Sequence, residues 1–296
     1  MSVDDGLTLE QRALGAYLGL AVGDALGATV EFMTPGEIEA EYKVHKNIRG
    51  GGWLNLKVGQ VTDDTTMSLA LGDSLITCQS IDAMHIAQFF SDWMRDKPVD
   101  IGNTVRRGIM SFRRTGVPVS LLSEHDAGNG ACMRCLPIAI FSYQLAIDFK
   151  EANRAQAHVT HNTPVSDAAC ECVIAMIHAS FAGTSLALQR DMAEKSLLAK
   201  FPMFTYDKGR VVNPSGYIVE TMGAVFQSLF NMNSFEDSMI DVVNRGGDAD
   251  TTGAILGMLA GAYYGIDSIP KRWVKKLDKS IRKACEYQAL ALLKPI

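Results

Sequence analysis

The sequence predicts an all-α protein, and three observations carry that expectation. Apolar residues recur at helical spacing along nearly the whole chain, helix-start signals recur between the apolar runs, and period-two alternation of β-branched residues is almost absent. The best strand candidate, Val211 with Val212, is a poor one. The first predicted helix starts at Thr8, where Gln11 three residues on completes a capping-box pattern, and continues through Leu14, Leu18, Ala21, Val22 and Ala25. The run Gly23-Asp24-Ala25-Leu26-Gly27, and then Pro35, predict a break in that element. Residues 37–57, with Gly50, Gly51 and Gly52, read as loop. A second helix is expected from Asp63 and Asp64 through Met67, Leu69, Leu71 and Leu75 to about Cys78. Asp82 caps a third, carrying Ile86, Phe89, Phe90 and Trp93, which ends before Pro98. Further helical stretches cover residues 101–114, 130–147, 164–182, 186–200, 218–230, 235–244, 250–264 and 270–293. Pro164 after Thr163 is a strong start, because proline at the first helical position loses no needed N–H. Nothing of linker-like or low-complexity composition interrupts the 296 residues, so residues 1–296 read as one domain.

Composition narrows the function classes. The net charge is −5, with 47% hydrophobic and 21% charged residues, which argues against an electrostatic grip on nucleic acid or on an anionic membrane. The longest apolar stretch, residues 253–266, is short for a bilayer span and rich in Gly and Ala, the pattern of a close-packed buried helix. Residues 1–10 have neither a basic lead nor an apolar run, so no signal peptide is expected. Six cysteines then predict reduced thiols in a cytoplasmic protein. Cys132 and Cys135 form a C-x-x-C without a second pair, at helical spacing among apolar residues, and read as core.

Two segments carry chemistry. Thr62-Asp63-Asp64-Thr65-Thr66 and Gly246-Gly247-Asp248-Ala249-Asp250-Thr251-Thr252 each put two carboxylates and adjoining hydroxyls at a helix start behind a glycine turn. Plain capping accounts for one Asp at each start, since a carboxylate suits the positive end of a helix. A second beside it gains little and repels the first, so cations offer an alternative reading. The donors are oxygen only, which suits Mg²⁺ or Mn²⁺ rather than Zn²⁺. Gly128-Asn129-Gly130 is expected to open the helix with Met133 and Arg134 and could cradle a phosphate, although such turns are common loop-to-helix joints. Glu31, Asp100 and Asn103 lie in predicted loops, as candidates for proton transfer or as ordinary surface groups. His161 stands before a helix and either caps it or touches a ligand.

Taken in order, these residues resemble the ADP-ribosylglycohydrolases. The likeness comprises residues 23–27 with Glu31, then Thr62-Asp63-Asp64, Gly128-Asn129-Gly130 with Met133 and Arg134, Thr160-His161, and Gly247 to Gly253, and it extends from about Arg12 to the C-terminal helix. Residues 21–37, 50–54, 98–104 and 126–137 look most like the nitrogenase-linked members. The resemblance implies a compact all-α fold and removal of ADP-ribose from modified side chains at a centre of two divalent ions, Mn²⁺ or Mg²⁺. It implies Thr62, Asp63, Asp64, Asp248, Asp250 and Thr251 as metal ligands, and a catalytic part for Glu31 at that centre. Asp63 shares candidacy for moving the proton, and Asp100, with Asn103, for engaging the guanidinium or opened ribose. Glu124, Gly128, Asn129, Gly130 and His161 would belong to the ADP-ribose pocket, with Tyr217 at its rim.

The implied substrate is ADP-ribosylated arginine on a protein, the nitrogenase iron protein in the nitrogenase-linked members. Those members further imply a PII-type signalling protein and, through it, an ammonium transporter as partners, with membrane recruitment by protein contacts alone. The rival readings are hydrolysis at another acceptor, serine-linked or O-acetyl-ADP-ribose, and a non-catalytic ADP-ribose binder on the same fold.

Overall fold

In the computed structural model, residues 6–123 and 127–294 are described. They form α1 (Leu9–Gly27), α2 (Pro35–Tyr42), α3 (Asp63–Cys78), α4 (Ala83–Arg95), α5 (Asn103–Thr115), α6 (Leu136–Leu145) and α7 (Phe149–Ala157). The chain continues through α8 (Pro164–Phe181), α9 (Leu186–Ala193), α10 (Ile218–Asn231), α11 (Phe235–Val243), α12 (Ala249–Tyr264), α13 (Lys271–Val274) and α14 (Lys279–Ala291). The all-α expectation holds: among the described residues extended pairing is limited to isolated bridges, Gly51 with Leu56 and Gly128 with Tyr217. Val211 and Val212 form no strand. No described helix is long and apolar enough to cross a membrane.

The helices are organised around one antiparallel pair, α1 and α12. Every residue of α1 from Gly15 to Gly27 is buried, as is every residue of α12 from Ala249 to Ala262. Their contact is a stripe of glycines four residues apart. A methyl group at Gly15, Gly19 or Gly23 would run into the carbonyl of Gly261, Gly257 or Gly253, and the reverse holds from the α12 side. Each glycine weakens an isolated helix by about 1 kcal/mol relative to alanine. Removing the side chains lets two backbones touch, so the apolar remainder of both helices packs into the surrounding shell. The expected break at residues 23–27 therefore falls only at the last of them, Gly27. α1 runs through Gly23 and stops only at Gly27, because both glycines are contact residues against α12.

Other boundaries differ for local reasons. Residues 35–42 are helical rather than loop, since Thr34 and Glu37 form a reciprocal capping box around Pro35. The stretch expected as one helix over 130–147 begins only at Leu136, and a separate helix, α7, follows, capped by Asp148. The stretch 186–200 passes from α-helix into a π-helical turn at Glu194–Leu198. The last expected helix is split, and Asp278 caps its second part through the N–H groups of Ser280 and Ile281.

Candidate active site

The α1–α12 register determines what meets at one end of the pair. Gly27 lies against Ala249 and Asp250, so the N-terminus of α12 sits beside the chain leaving α1. Two turns are stitched there: the Phe32 N–H donates to the Gly247 carbonyl at 2.7 Å, and the Gly247 N–H to the Met33 carbonyl at 3.0 Å. Gly246 and Gly247 take left-handed backbone, and a side chain at Gly247 would strike Pro214. Phe32 is also left-handed, at φ 63°, a costly conformation for a bulky residue. The result brings Glu31 to Asp248 and Asp250: carboxylate oxygens of the three lie within 4.8 Å of one another.

The start of α3 is anchored to the same end by Asp24. Its buried carboxylate accepts from the Thr62 N–H at 2.9 Å, the Thr62 hydroxyl at 3.1 Å, the Thr65 N–H at 3.0 Å and the Thr65 hydroxyl at 2.5 Å. Asp24 thus does from α1 what an N-cap side chain does locally, and it releases Asp63 and Asp64 from capping. The two acidic helix starts touch through hydroxyls. Thr62 Oγ1 lies 3.2 Å from Asp64 Oδ2 and 3.4 Å from Asp250 Oδ2, and Thr251 Oγ1 lies 3.3 Å from Asp64 Oδ2.

Six carboxylates, those of Asp24, Glu31, Asp63, Asp64, Asp248 and Asp250, share this region, and burial raises each of them. Glu31 is pushed up to about 8 by burial, against the Trp53 hydrogen bond, with Asp248, Asp100 and Asp63 adding to the rise. Asp63 rises to about 7 through burial and then the charge of Asp100. Asp64 and Asp250 lie well above the ordinary carboxylate range through burial and then their acidic neighbours. Asp64 Oδ1 is buried and has no hydrogen-bond partner among the described residues. An orphaned carboxylate oxygen inside a cluster of acids costs a great deal unless a cation neutralises it. The donor set (carboxylates and threonine hydroxyls) fits a hard divalent ion.

A cavity of about 350 Å³ opens over the cluster. Its wall includes Glu31, Phe32, Asp63, Asp100, Asn103, Asp248, Asp250 and Thr251 together with Gly128, Asn129, Gly130, Met133 and His161. Thr62 and Asp64 are buried and reach the wall residues through the hydroxyl contacts above. Asp63 Oδ2 accepts the Gly102 N–H at 3.3 Å, which ties α3 to the connector holding Asp100 and Asn103. Asn129 donates to Asp248 Oδ2 at 2.6 Å and to Thr221 Oγ1 at 2.9 Å, joining the glycine turn to α12 and α10. That turn does not open a helix as expected. Residues 128–134 are successive turns, closed by the Cys132 and Met133 N–H groups on the Asn129 carbonyl. Cys132 and Cys135 are buried core thiols.

Tyr217 pairs its backbone with Gly128, but its side chain is exposed and its hydroxyl lies 3.9 Å from Met203 Sδ; Gly216 lines the cavity in its place. Glu124 lies outside the described residues. Two residues to which the motifs gave no role also shape the site. One is Asp24, hidden in the supposed helix break. The other is Trp53, whose indole N–H donates to Glu31 Oε2 at 2.7 Å, with its ring 5.3 Å from that of Phe32 at the cavity mouth.

The fold and the acidic centre define a class of protein, and the chain belongs to the ADP-ribosylglycohydrolase family, whose profile matches residues 5–295. It is 48% identical, over 97% of each chain, to the ADP-ribosyl-[dinitrogen reductase] glycohydrolase of Rhodospirillum rubrum. An ADP-ribosylarginine hydrolase of Pseudomonas putida (strain GB-1) is 33% identical, over 92% of this chain and 76% of its own length. A solved structure titled "ADP-ribosylglycohydrolase-related protein complex" superposes with a TM-score of 0.85 at 33% identity, covering 96% of this chain and 98% of the other.

Proposed function

We propose that this chain hydrolyses the N-glycosidic bond between ADP-ribose and a protein arginine, with two divalent cations, Mn²⁺ or Mg²⁺, held by Thr62, Asp63, Asp64, Asp248, Asp250 and Thr251. One observation carries the reading: two acidic helix starts, remote in sequence, meet under one cavity with Asp64 Oδ1 left without a partner among the described residues. The name of the Pseudomonas putida relative supports arginine as the acceptor, and that of the Rhodospirillum rubrum relative supports dinitrogen reductase as the target. A PII-type protein and an ammonium transporter as regulatory partners rest on the resemblance alone.

Bound cations would supply the positive charge that lets these carboxylates ionise together and that polarises substrate oxygens. The remaining steps fall to this chain's own groups. Cleavage passes through an oxocarbenium-like state at the anomeric carbon, and carboxylates beside it stabilise that charge. Trp53 engages Oε2 of Glu31, so Oε1 is the oxygen assigned to moving the proton, with Asp63 as the second candidate. Asp100, half-buried at the cavity edge, faces the departing guanidinium or the opened ribose. The turn at Gly128, Asn129 and Gly130, with His161, binds the pyrophosphate end, and binding energy from that non-reacting part supports turnover.

The test is release of ADP-ribose from arginine-ADP-ribosylated protein, with and without Mn²⁺, beside a serine-linked substrate. Cation-dependent release from the arginine substrate is expected. Release from the serine substrate alone, or from neither, overturns the proposal.

A further inference from the structure

One buried cation near the cavity has no part in the chemistry above. Arg134 is fully buried, and its hydrogen bonds go to neutral groups. Nε donates to Gln156 Oε1 at 2.9 Å, and Nη2 donates to the Gln156 carbonyl at 3.0 Å and to Thr160 Oγ1 at 2.8 Å. Nη1 points to Met67 Sδ, and the guanidinium lies 4.5 Å over the Phe90 ring. Burying a guanidinium this way is expensive, which raises the question of what it holds in place.

We propose that Arg134 and Thr160 are positioning residues that lock His161 as the neutral tautomer with its proton on Nε2, so that the ring offers an N–H to a phosphate oxygen of ADP-ribose at the Gly128–Gly130 turn. The proposal rests on the reading of this cavity as an ADP-ribose site.

The logic is one of donors and acceptors. A guanidinium has donors only, and a hydroxyl has one hydrogen. Both Nη2 hydrogens of Arg134 are used, so Thr160 Oγ1 is an acceptor on that side. Thr160 is itself buried, and its own hydrogen needs an acceptor; His161 Nδ1 lies 2.8 Å away. Accepting that hydrogen leaves Nδ1 bare and puts the ring proton on Nε2. The positive charge behind the hydroxyl makes it the stronger donor, which favours this arrangement over its reverse.

The backbone holds the relay still. Thr160 and His161 N–H groups both donate to the Ala157 carbonyl, at 3.0 and 2.7 Å. The Nε2 edge meets the glycine turn so closely that a Cβ at Gly128 or Gly130 would lie 3.1 or 3.2 Å from Nε2. Glycine at both positions is what allows the ring to seat there.

The experiment is nitrogen-15 NMR of the histidine side chains in the full-length protein, with the His161 signals assigned by their loss in H161Q, together with calorimetric titration of ADP-ribose. The relay requires a protonated Nε2 and a bare Nδ1 in the ligand-free wild type. T160V should lose the single-tautomer pattern and weaken ADP-ribose by about tenfold, and T160S should restore both. A proton on Nδ1 or on both nitrogens in the wild type overturns the proposal. So does a T160V protein with unchanged tautomer and affinity. Should T160V fail to fold, the wild-type spectrum decides alone. Absence of ADP-ribose binding by the wild type would count against the proposed function, whereas the tautomer is read without ligand.

Discussion

At the scale of single residues, the proposed cation ligands and proton movers share the cavity wall, and substitutions separate their roles. Asp248 stands on the cavity wall, oriented by Asn129, so D248A removes a proposed cation ligand and leaves Asn129 without that acceptor. Turnover should fall by more than the roughly 10–100-fold typical of losing a group that merely supports a ligand. Near-normal release of ADP-ribose by D248A would defeat the assignment. Glu31→Gln keeps the shape and the Trp53 partner, so it should depress turnover far more than bound metal measured by elemental analysis. Equal loss of both would make Glu31 chiefly a cation ligand. His45 makes a prediction of a different kind. Its Nε2 lies 2.8 Å from the Leu26 carbonyl at the end of α1, and its Nδ1 is buried without a partner among the described residues. Burial, the largest effect, holds its pKa below the ordinary value, the Leu26 hydrogen bond opposes this, and Arg49 adds to the lowering. The unfolded chain therefore takes up a proton near pH 6.5 that the folded one resists. Stability should be unaffected by this group above that pH and decline as pH falls below it. H45Q should flatten that limb of a denaturation-against-pH curve, and an unchanged curve would remove His45 from the account.

At the scale of helices, the sequence was most legible where caps and apolar periodicity agree. The start at Thr8, the acidic start of α3, the Asp82 cap of α4 and the Thr163-Pro164 start of α8 all stand where local chemistry puts them. It was least legible where a contact remote in sequence overrides propensity. Gly23 and Gly27 read as breakers because an isolated helix would fray there, yet α12 needs both. The signal was nonetheless present, as glycines spaced by four at residues 15, 19, 23 and 27 and again at 253, 257 and 261. The stripe yields its own prediction. G257A raises helix propensity but drives a methyl into the Gly19 carbonyl. Overpacking of that kind costs about 1–3 kcal/mol, and more when the neighbour is backbone that cannot rotate away. Because the stripe sets the register of Asp250 against Asp64, G257A should lower thermal stability and activity together. A more stable and fully active G257A protein would show that propensity, not the contact, governs this pair.

At the scale of the whole molecule, the acidic residues were legible and their meeting was not. Each segment alone satisfies the rules for an ordinary cap, and only the folded α1–α12 pair shows that Asp24 takes over the capping of α3 from a distance. Trp53, Arg134 and Thr160 stand inside segments that carry the resemblance, but their roles were not legible, since their partners lie outside those segments. With cations held as proposed, this arrangement would tie global stability to cation binding. In the folded chain, burial disfavours ionising the clustered carboxylates side by side; in the unfolded chain they are apart and hydrated, so cations bind the folded state preferentially. Such linkage adds about 2.7 kcal/mol at a free concentration a hundred times the dissociation constant, a rise of several degrees in melting temperature for a chain of this size. Chelation should therefore lower the melting temperature, and Mn²⁺ should restore it in proportion to the logarithm of its concentration. D64N should abolish most of that response, because Asp64 carries a buried oxygen that has no partner among the described residues. A melting temperature indifferent to chelator and to Mn²⁺ would mean that the two acidic helix starts hold no ion.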